Sequence, residues 1–296
     1  MTWLRRPAQE VTDGVITSVD PDTAGWDYSG LEVLDFSQSP TFVRSLTATE
    51  GVLVPLSAQD VQVSIDGESY LLRGRAGVFA AVSDWVYVPV GSTVELSAPH
   101  GEIALCTARA TERLEVVHVD APDVPVEVRG GGAATRQVTN IATPESFSGA
   151  QRINVCEVLT PGGNFSSWPP HRHDGLEGCP VQNEEIYYFR TGRRDSPHGD
   201  PAGQAQFRVY TVDGSVDETV TVFDHDIYLV PQGFHGPSTA PPDHPLYFLN
   251  VLAGHGEQRT MGFCDDPAHT WVRESWQDVA QDPRCPMTSA AGRVAR

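Results

Sequence analysis

Four segments between residues 169 and 237 decide the fold: PPHRHD (169–174), NEEIYYFR (183–190), FRVYTVDG (207–214) and DHDIYLVPQGFHGP (224–237). Runs rich in Ile, Tyr, Phe and Val alternate with Gly and Pro turns, a pattern typical of short β-strands joined by tight connections. The segments hold two histidines one residue apart, then a glutamate, and finally a third histidine. We interpret the stretch as one small β-barrel that gathers these polar side chains.

The same strand rhythm extends through both halves of the chain. Apolar and polar residues alternate in runs that recur at spacings of about 8–12 residues, which favours a sandwich or barrel. Before the stretch the predicted strands are 14–18, 31–36, 51–56, 60–65, 70–75, 85–90, 92–97 and 102–108. Within and around it they are 136–141, 152–160, 184–190, 204–211, 218–223, 226–231 and 245–253. The sequence therefore predicts an all-β protein.

A Pro- and Gly-rich segment, DAPDVPVEVRGGGAATRQ (120–137), separates the two runs of strands. We expect one barrel over residues 1–125, a second over 126–275, and a mobile tail over 276–296, where periodicity is lost. The segments WVYVPVGSTVEL and DIYLVPQG are interpreted as corresponding hairpins. The halves are thus predicted to be tandem copies of one barrel unit.

Composition limits the possible partners and location. The net charge of −19 argues against nucleic acid and anionic membranes as partners. No segment has the apolar length of a membrane span, and the start has no secretory signal. Five scattered cysteines without a CxxC pair predict neither a thiolate zinc site nor a disulfide framework. We expect a cytoplasmic protein, with homo-oligomerisation open.

The three histidines and the glutamate have the arrangement of a metal site. His171 and His173 are two residues apart, so on a strand both side chains point to one face. Glu185 begins the next strand, and His235 follows a Pro-Gln-Gly turn that can return its side chain to the same place. Three imidazoles and one carboxylate suit Zn, Mn or Fe with open coordination positions. The first half has only two histidines, without this spacing, and is predicted to lack a metal site.

These motifs resemble the cupin superfamily and, within it, the bacterial 5-deoxy-glucuronate isomerases of myo-inositol catabolism. The resemblance rests on the segments quoted above together with YFLNVLAG (247–254), WLRRP (3–7) and AGWDYSGLEVLDF (24–36). It implies a bicupin, two double-stranded β-helix barrels in tandem, with one divalent metal ion, expected to be Zn, in the C-terminal barrel. The implied ligands are His171, His173, Glu185 and His235. Glu185 is chosen over Glu184 by the family's Glu-x-Tyr-Tyr pattern.

The resemblance also implies an aldose–ketose isomerase acting on a hexuronate-type small molecule. It would convert 5-deoxy-D-glucuronate to 5-dehydro-2-deoxy-D-gluconate through an enediolate whose charge the metal stabilises. Arg208 is the candidate for binding the substrate carboxylate. Candidates for the general acid or base are Tyr187, Asp226 and Tyr247, with Glu184 or a metal-bound hydroxide as further options.

Three other functions remain open at this point. One is a 5-keto-4-deoxyuronate isomerase of pectin breakdown, which performs the same chemistry on another hexuronate. Another is a metal-dependent bicupin dioxygenase, which would consume oxygen. The third is a sugar-binding bicupin without catalysis, which has no need of four ligands. Turnover of 5-deoxy-glucuronate separates the first expectation from all three.

Overall fold

A computed structural model describes residues 3–7, 11–230 and 232–294 of the chain. The first half contains β1 (Leu4–Arg5), β2 (Val15–Val19), β3 (Ser29–Asp35), β4 (Thr41–Leu46), β5 (Thr49–Pro55), β6 (Gln59–Ile65), β7 (Glu68–Gly74), β8 (Trp85–Val88), β9 (Ser92–Ser97), β10 (Glu102–Arg109) and β11 (Val117–Val119). The second half contains β12 (Val126–Arg129), β13 (Arg136–Asn140), β14 (Asn154–Thr160), β15 (Phe165–Ser166), β16 (His171–Arg172), β17 (Glu184–Thr191), β18 (Gln204–Tyr210), β19 (Asp217–Phe223), β20 (Ile227–Val230), β21 (Phe234–Thr239), β22 (Leu246–Ala253) and β23 (Cys264–Asp265). A last hairpin joins β24 (Thr288–Ser289) to β25 (Gly292–Arg293).

Helices are few and short. The α-helices are α1 (Pro21–Ala24) and α2 (Trp271–Ser275), and 3-10 turns cover Ala121–Asp123, Pro267–His269 and Trp276–Asp278. Within the described ranges, none of these has the length or apolar character to cross a membrane. The prediction of an all-β chain is confirmed, and the predicted strands agree with the observed ones to within a few residues. The strand predicted over 226–231 ends on a residue outside the described ranges.

Each half folds into a barrel made of two facing sheets. In the first half, one sheet has the order β11-β8-β5-β10-β3-β2 and the other β4-β9-β6-β7. In the second half, the orders are β1-β20-β17-β22-β14-β13-β12 and β19-β18-β21-β16-β23, with β15 paired to β21. The shared order of the principal strands makes the halves tandem versions of one barrel, as the strand rhythm predicts.

The two predicted hairpins are wrong, and their true path explains the barrel shape. Strand β8 pairs with β5 and β11, whereas β9 pairs with β4 and β6 in the other sheet. Likewise β20 pairs with β17, while β21 pairs with β18 and β16. The strands before and after each predicted turn therefore belong to different sheets. The two segments do correspond, but each joins strands of two different sheets and does not form a hairpin.

The two barrels share one apolar core. A single buried cluster includes Val52 and Trp85 from the first barrel and Ile186 and Leu249 from the second. Strand alternation explains this arrangement, because each of the large sheets has one face toward its own barrel and one toward the other barrel. Each barrel also keeps a separate interior cluster of its own.

The ends of the chain depart from the predicted division. Strand β1, from the first predicted domain, pairs with β20 of the second barrel. Residues 276–294 do not form the predicted mobile tail: Thr288 is 2% exposed and Cys285 is 6% exposed. The side-chain oxygen of Gln137 accepts hydrogen bonds from the backbone N–H groups of Met287 and Thr288. The last two residues of the predicted tail lie outside the described ranges.

Candidate metal centre and substrate cavity

Three of the four predicted ligands converge inside the second barrel. His173 follows β16, Glu185 is in β17, and His235 is in β21, paired in register with His171. One ligand-type atom from each of His173, Glu185 and His235 lies within 4.8 Å of the other two. All three side chains are buried. Because β21 pairs with β16, His235 lies beside the segment that carries His171 and His173.

The hydrogen bonds around these residues leave room for a cation. His173 Nδ1 lies 2.8 Å from the carbonyl oxygen of Asn183, so this nitrogen carries the hydrogen and Nε2 faces Glu185 Oε2 at 2.8 Å. His235 Nε2 lies 3.0 Å from the same carboxylate oxygen. Neither ring nitrogen of His235 has a hydrogen-bond partner among the described residues. Both histidines thus direct Nε2 at one carboxylate oxygen, and a carbonyl oxygen fixes the other nitrogen of His173. This arrangement fits a divalent metal ion in place of a proton.

His171 lies beside this group. Its ring centroid is 4.4 Å from that of His235 and 6.4 Å from that of His173. Its Nδ1 lies 3.3 Å from the carbonyl oxygen of Pro169, which orients the ring. The ring also contacts Phe263 at 5.0 Å. His171 is therefore placed where it could serve as a fourth ligand beside His173, Glu185 and His235.

The ionisation states suit metal binding. Burial acts to raise the pKa of Glu185, but the electrostatic interaction with His235 and the hydrogen bond with His173 outweigh it and hold that pKa well below its usual range. Burial and the neighbouring His235 lower the pKa of His171, and burial lowers the pKa of His235. Burial opposes protonation of His173 too, yet Glu185 raises its pKa. Glu185 is therefore ionised and His171 and His235 are neutral, and a metal would replace the proton held between His173 and Glu185.

A cavity of about 920 Å³ opens next to His171, His173 and Glu185. Its floor is the inward face of the seven-stranded sheet, where alternate residues of neighbouring strands point the same way. The residues of this face that line it are Val138, Asn140, Cys156, Val158, Tyr187, Phe248, Asn250 and Leu252. The volume is ample for a six-carbon sugar acid.

Tyr187 is the one predicted catalytic residue that lines this cavity. Its ring lies 5.8 Å from that of His235, and its hydroxyl is 3.2 Å from Ser167 Oγ. Burial and the charge of Glu185 raise its pKa well above the ordinary value, so the phenol is neutral. A neutral phenol can donate a hydrogen bond to a substrate oxygen next to the histidine cluster.

The other three predicted catalytic residues are not placed as their predicted roles require. Arg208 projects from β18 on the face turned away from the barrel interior, and it forms an ion pair with Asp217 at 3.0 Å. Asp226 binds Arg6 and the backbone N–H of Phe223, and Tyr247 donates to Glu157 Oε1 at 2.7 Å between the barrels. None of the three lines the cavity. Alternation explains the positions of Arg208 and Tyr247, because both occupy strand positions that point away from the barrel interior.

The two neighbouring glutamates of β17 point in opposite directions. Glu184 accepts backbone N–H groups from Asp27, Tyr28 and Ser29 at 2.6–2.9 Å, which ties β17 to the first barrel. The ligand atoms of Asp27, Glu184 and His255 are also close enough together to hold a metal ion. The oxygens of Glu184, however, already accept these backbone hydrogen bonds. Glu185 alone of this pair faces the histidines, as the Glu-x-Tyr-Tyr pattern implies.

Three arginines line the cavity and were not found by sequence reasoning. They are Arg129 at the end of β12, Arg136 at the start of β13, and Arg273 in α2. Period-two alternation in RQVTN groups Arg136 with Val138 and Asn140 on one face. Nothing in that pattern indicated that this face points to the cavity, so the signal was present without its context.

The expectation of no disulfide is wrong. Cys179 and Cys264 form a disulfide that joins the loop after His173 to β23. The two cysteines are 85 residues apart in sequence, so spacing gave no sign of their proximity. The bond fixes the segment carrying Phe263, which contacts His171, to the segment that carries the histidine pair.

The fold and this site define a bicupin with a candidate metal centre in its C-terminal barrel. The chain belongs to the KduI/IolB family, whose model matches residues 3–272. It is 38% identical to a 5-deoxy-glucuronate isomerase of Geobacillus kaustophilus (strain HTA426), over 89% of this chain and 92% of that protein. It is 33% identical to the protein of that name from Bacillus subtilis (strain 168), over 92% of this chain and 98% of the relative.

Solved structures agree with the fold. An IolB-like protein from Salmonella typhimurium LT2 is 31% identical, with a TM-score of 0.81 over 92% of this chain and 99% of that chain. The oxalate decarboxylase of Lactobacillus farciminis matches with a TM-score of 0.58 over 86% of each chain. At 13% identity the second likeness concerns the fold alone.

Proposed function

We propose that this protein is an aldose–ketose isomerase that converts 5-deoxy-D-glucuronate to 5-dehydro-2-deoxy-D-gluconate in myo-inositol catabolism. The observation that carries the proposal is the buried group of His173, Glu185 and His235 beside a sugar-sized cavity. The family and the isomerase names of its relatives support this choice of reaction. The proposed location is the cytoplasm.

The proposed cofactor is one divalent ion, Zn with Mn or Fe as alternatives, held by His171, His173, Glu185 and His235. When bound, such an ion acts as a Lewis acid that stabilises negative charge developing on the two reacting substrate oxygens. The chain contributes the orientation of its own ligands: Asn183 holds His173, and Pro169 holds His171, each through Nδ1. Fixed ligand orientation of this kind strengthens metal binding.

Tyr187 is the proposed hydrogen-bond donor to the substrate at the reacting end. Its neutral hydroxyl lies beside Ser167, and its ring packs against Phe248 and Phe207 at 4.9 and 4.7 Å. Close aromatic packing restricts the ring to one orientation, so the donor is positioned before the substrate arrives. Because the phenol is neutral at physiological pH, it can donate without first gaining a proton.

Incubation of metal-replete protein with 5-deoxy-D-glucuronate, followed by 13C NMR, tests the proposal. The expected result is the appearance of a ketone carbon and loss of the anomeric signals of the substrate. Protein stripped with a chelator should lose this activity and regain it on addition of Zn, Mn or Fe. Absence of turnover with each of these metals would refute the proposed reaction.

A further inference from the structure

Arg136 is a buried cation without an ionic partner. It begins β13, is 7% exposed, and lines the cavity. The hydrogen bond that its guanidinium makes goes from Nη1 to the carbonyl oxygen of Ala134, at 3.0 Å. Among the described residues, no carboxylate lies within ion-pair distance of it, although the chain carries a net charge of −19. A buried charge of this kind is costly unless it is paired.

The nearby arginines increase this cost. Arg129 is the direct cross-strand partner of Arg136 in the β12–β13 ladder, and like charges in that position repel each other. Arg129 is neutralised by Glu127 at 2.6 Å. Arg273, the third arginine of the cavity, forms a double hydrogen bond to the carboxylate of Asp265. Arg136 is therefore the member of the cluster whose charge is not balanced.

The remaining contacts hold Arg136 in place without neutralising it. Its guanidinium lies over the ring of Trp276 at 5.3 Å, and Arg273 lies over the same ring at 5.2 Å. Burial, with the charges of Arg129 and Arg273, lowers the pKa of Arg136, whereas Tyr187 and the more distant carboxylate of Glu127 act in the opposite direction. Tyr187, whose ring contacts His235, lines the same cavity as Arg136.

We propose that Arg136 binds the carboxylate of the sugar acid and thereby selects uronates over neutral sugars. This assignment rests on the proposed function. The substrate carries its carboxylate at C6 and reacts at C1 and C2, so the two ends need separate recognition. A guanidinium binds a carboxylate through two parallel hydrogen bonds, which fix direction as well as charge. Arg136 is thus a specificity-determining residue, and the reacting carbons are oriented toward the histidines.

The test compares the acid with its uncharged C6 amide. In the Arg136→Gln variant, kcat/KM for 5-deoxy-D-glucuronate should fall by about 100-fold or more, because a buried charge pair is lost. For 5-deoxy-D-glucuronamide, the wild type and the variant should differ by less than about fivefold. Arg136→Lys, which keeps the charge but loses the fork, should give an intermediate loss for the acid. Arg73→Gln, in the exposed pair with Asp60 of the first barrel, is the matched control and should behave as wild type.

A stability measurement separates this role from a structural one. Without substrate, Arg136→Gln removes an unbalanced buried charge, so its melting temperature should equal or exceed that of the wild type. Equal losses of activity on the acid and the amide, together with a fall of the melting temperature, would overturn the proposal.

The role assigned to Arg136 can be tested even if the proposed reaction is not observed. If the wild type turns over neither compound, calorimetry with D-glucuronate and D-glucose measures recognition alone. The assignment predicts that metal-replete wild type binds D-glucuronate at least about tenfold more tightly than D-glucose, and that Arg136→Gln abolishes the difference. Equal affinity for the acid and the neutral sugar would refute it.

Discussion

At the scale of single residues, the site depends on which face of a strand each side chain occupies. Glu184 and Glu185 are chemically identical neighbours with different surroundings. One is bound by three backbone N–H groups of the first barrel, and the other lies within 3.0 Å of two imidazoles. A shift of one residue in the register of β17 would exchange their roles. The pairing of Glu185 with Val230 and Leu252 in β20 and β22 is therefore part of the candidate metal centre.

Glu185→Gln should remove metal from purified protein. The amide keeps the shape of the carboxylate but loses its charge, and a neutral oxygen is a weaker ligand for a divalent ion. We expect metal content, measured by plasma mass spectrometry, to drop from about one ion per chain to less than about 0.2. Glu184→Gln is the control, which should keep its metal. Full metal content in Glu185→Gln would contradict the ligand assignment.

Asp226 illustrates a residue whose charge is costly. It is 1% exposed, and burial raises its pKa to about 6, although the Phe223 N–H and Arg6 act to lower it. A carboxyl whose pKa is higher in the folded state than in the unfolded state stabilises the fold at low pH. That stabilisation is lost as pH rises through about 6.

Asp226→Asn should therefore raise stability most above pH 6. Because the amide is uncharged at every pH, the variant avoids the cost of the buried carboxylate, on the order of 1 kcal/mol. Thermal melts at pH 5 and pH 8 measure this, and the gain should be larger at pH 8. A gain that is equal at both values, or larger at pH 5, would show that the raised pKa is not the cause.

At the scale of elements, the C-terminal segment completes the second barrel. Gln137 of β13 is fully buried, and its amide bonds Met287, Thr288 and the Thr288 hydroxyl. Trp276 lies against Arg136 on the neighbouring face. The segment lacks periodicity because it binds through backbone and polar groups, without a regular apolar stripe. That is why its sequence resembles a mobile tail.

Truncation after Ser275 should destabilise the protein by about 3 kcal/mol or more, since it removes the packing of this segment and the hydrogen bonds of the Gln137 amide to Met287 and Thr288. Urea denaturation of the truncated and full-length chains measures the difference. Adding Gln137→Met to the truncated chain should recover part of the loss, because an amide that has lost these partners is removed. An unchanged denaturation midpoint after truncation would contradict the packed arrangement.

At the scale of the whole molecule, a polar contact joins the barrels inside the shared apolar core. The guanidinium of Arg75 pairs with Glu157, and their side chains are 1% and 4% exposed. Glu157 also accepts the Tyr247 hydroxyl. On the other side, Glu50 of the first barrel accepts backbone N–H groups of Gln151, Arg152 and Ile153. The barrel that carries the candidate metal centre is thus stabilised by buried polar contacts with the first barrel.

Arg75→Met should cost about 3–5 kcal/mol, because it leaves Glu157 charged and buried without a cation. The double variant Arg75→Met, Glu157→Leu should recover most of this, since apolar pairs replace buried ion pairs well. Urea denaturation of the two single variants and the double variant gives the coupling energy. Additive losses would show that the pair does not act as a unit.

Much of this architecture could be predicted from the sequence. Strand alternation and turn residues located the strands and the repeat, and HxH, Glu185 and His235 indicated the metal group. The missed features depend on contacts between distant segments: Cys179 with Cys264, Gln137 with Thr288, and Arg129 opposite Arg136. Arg208 was favoured because its strand was recognised, but alternation alone does not say which face is inside. Such choices depend on sheet pairing, which one sequence leaves open.

The most direct test of a metal-dependent isomerase site is the activity of metal-free protein as metal is added back. The initial rate of 5-deoxy-D-glucuronate isomerisation is measured at increasing equivalents of Zn, Mn or Fe. The rate is expected to rise linearly and to saturate near one ion per chain, with no rise in a His173→Gln variant. Full turnover by the metal-free protein, or saturation of that variant like the wild type, would contradict this expectation.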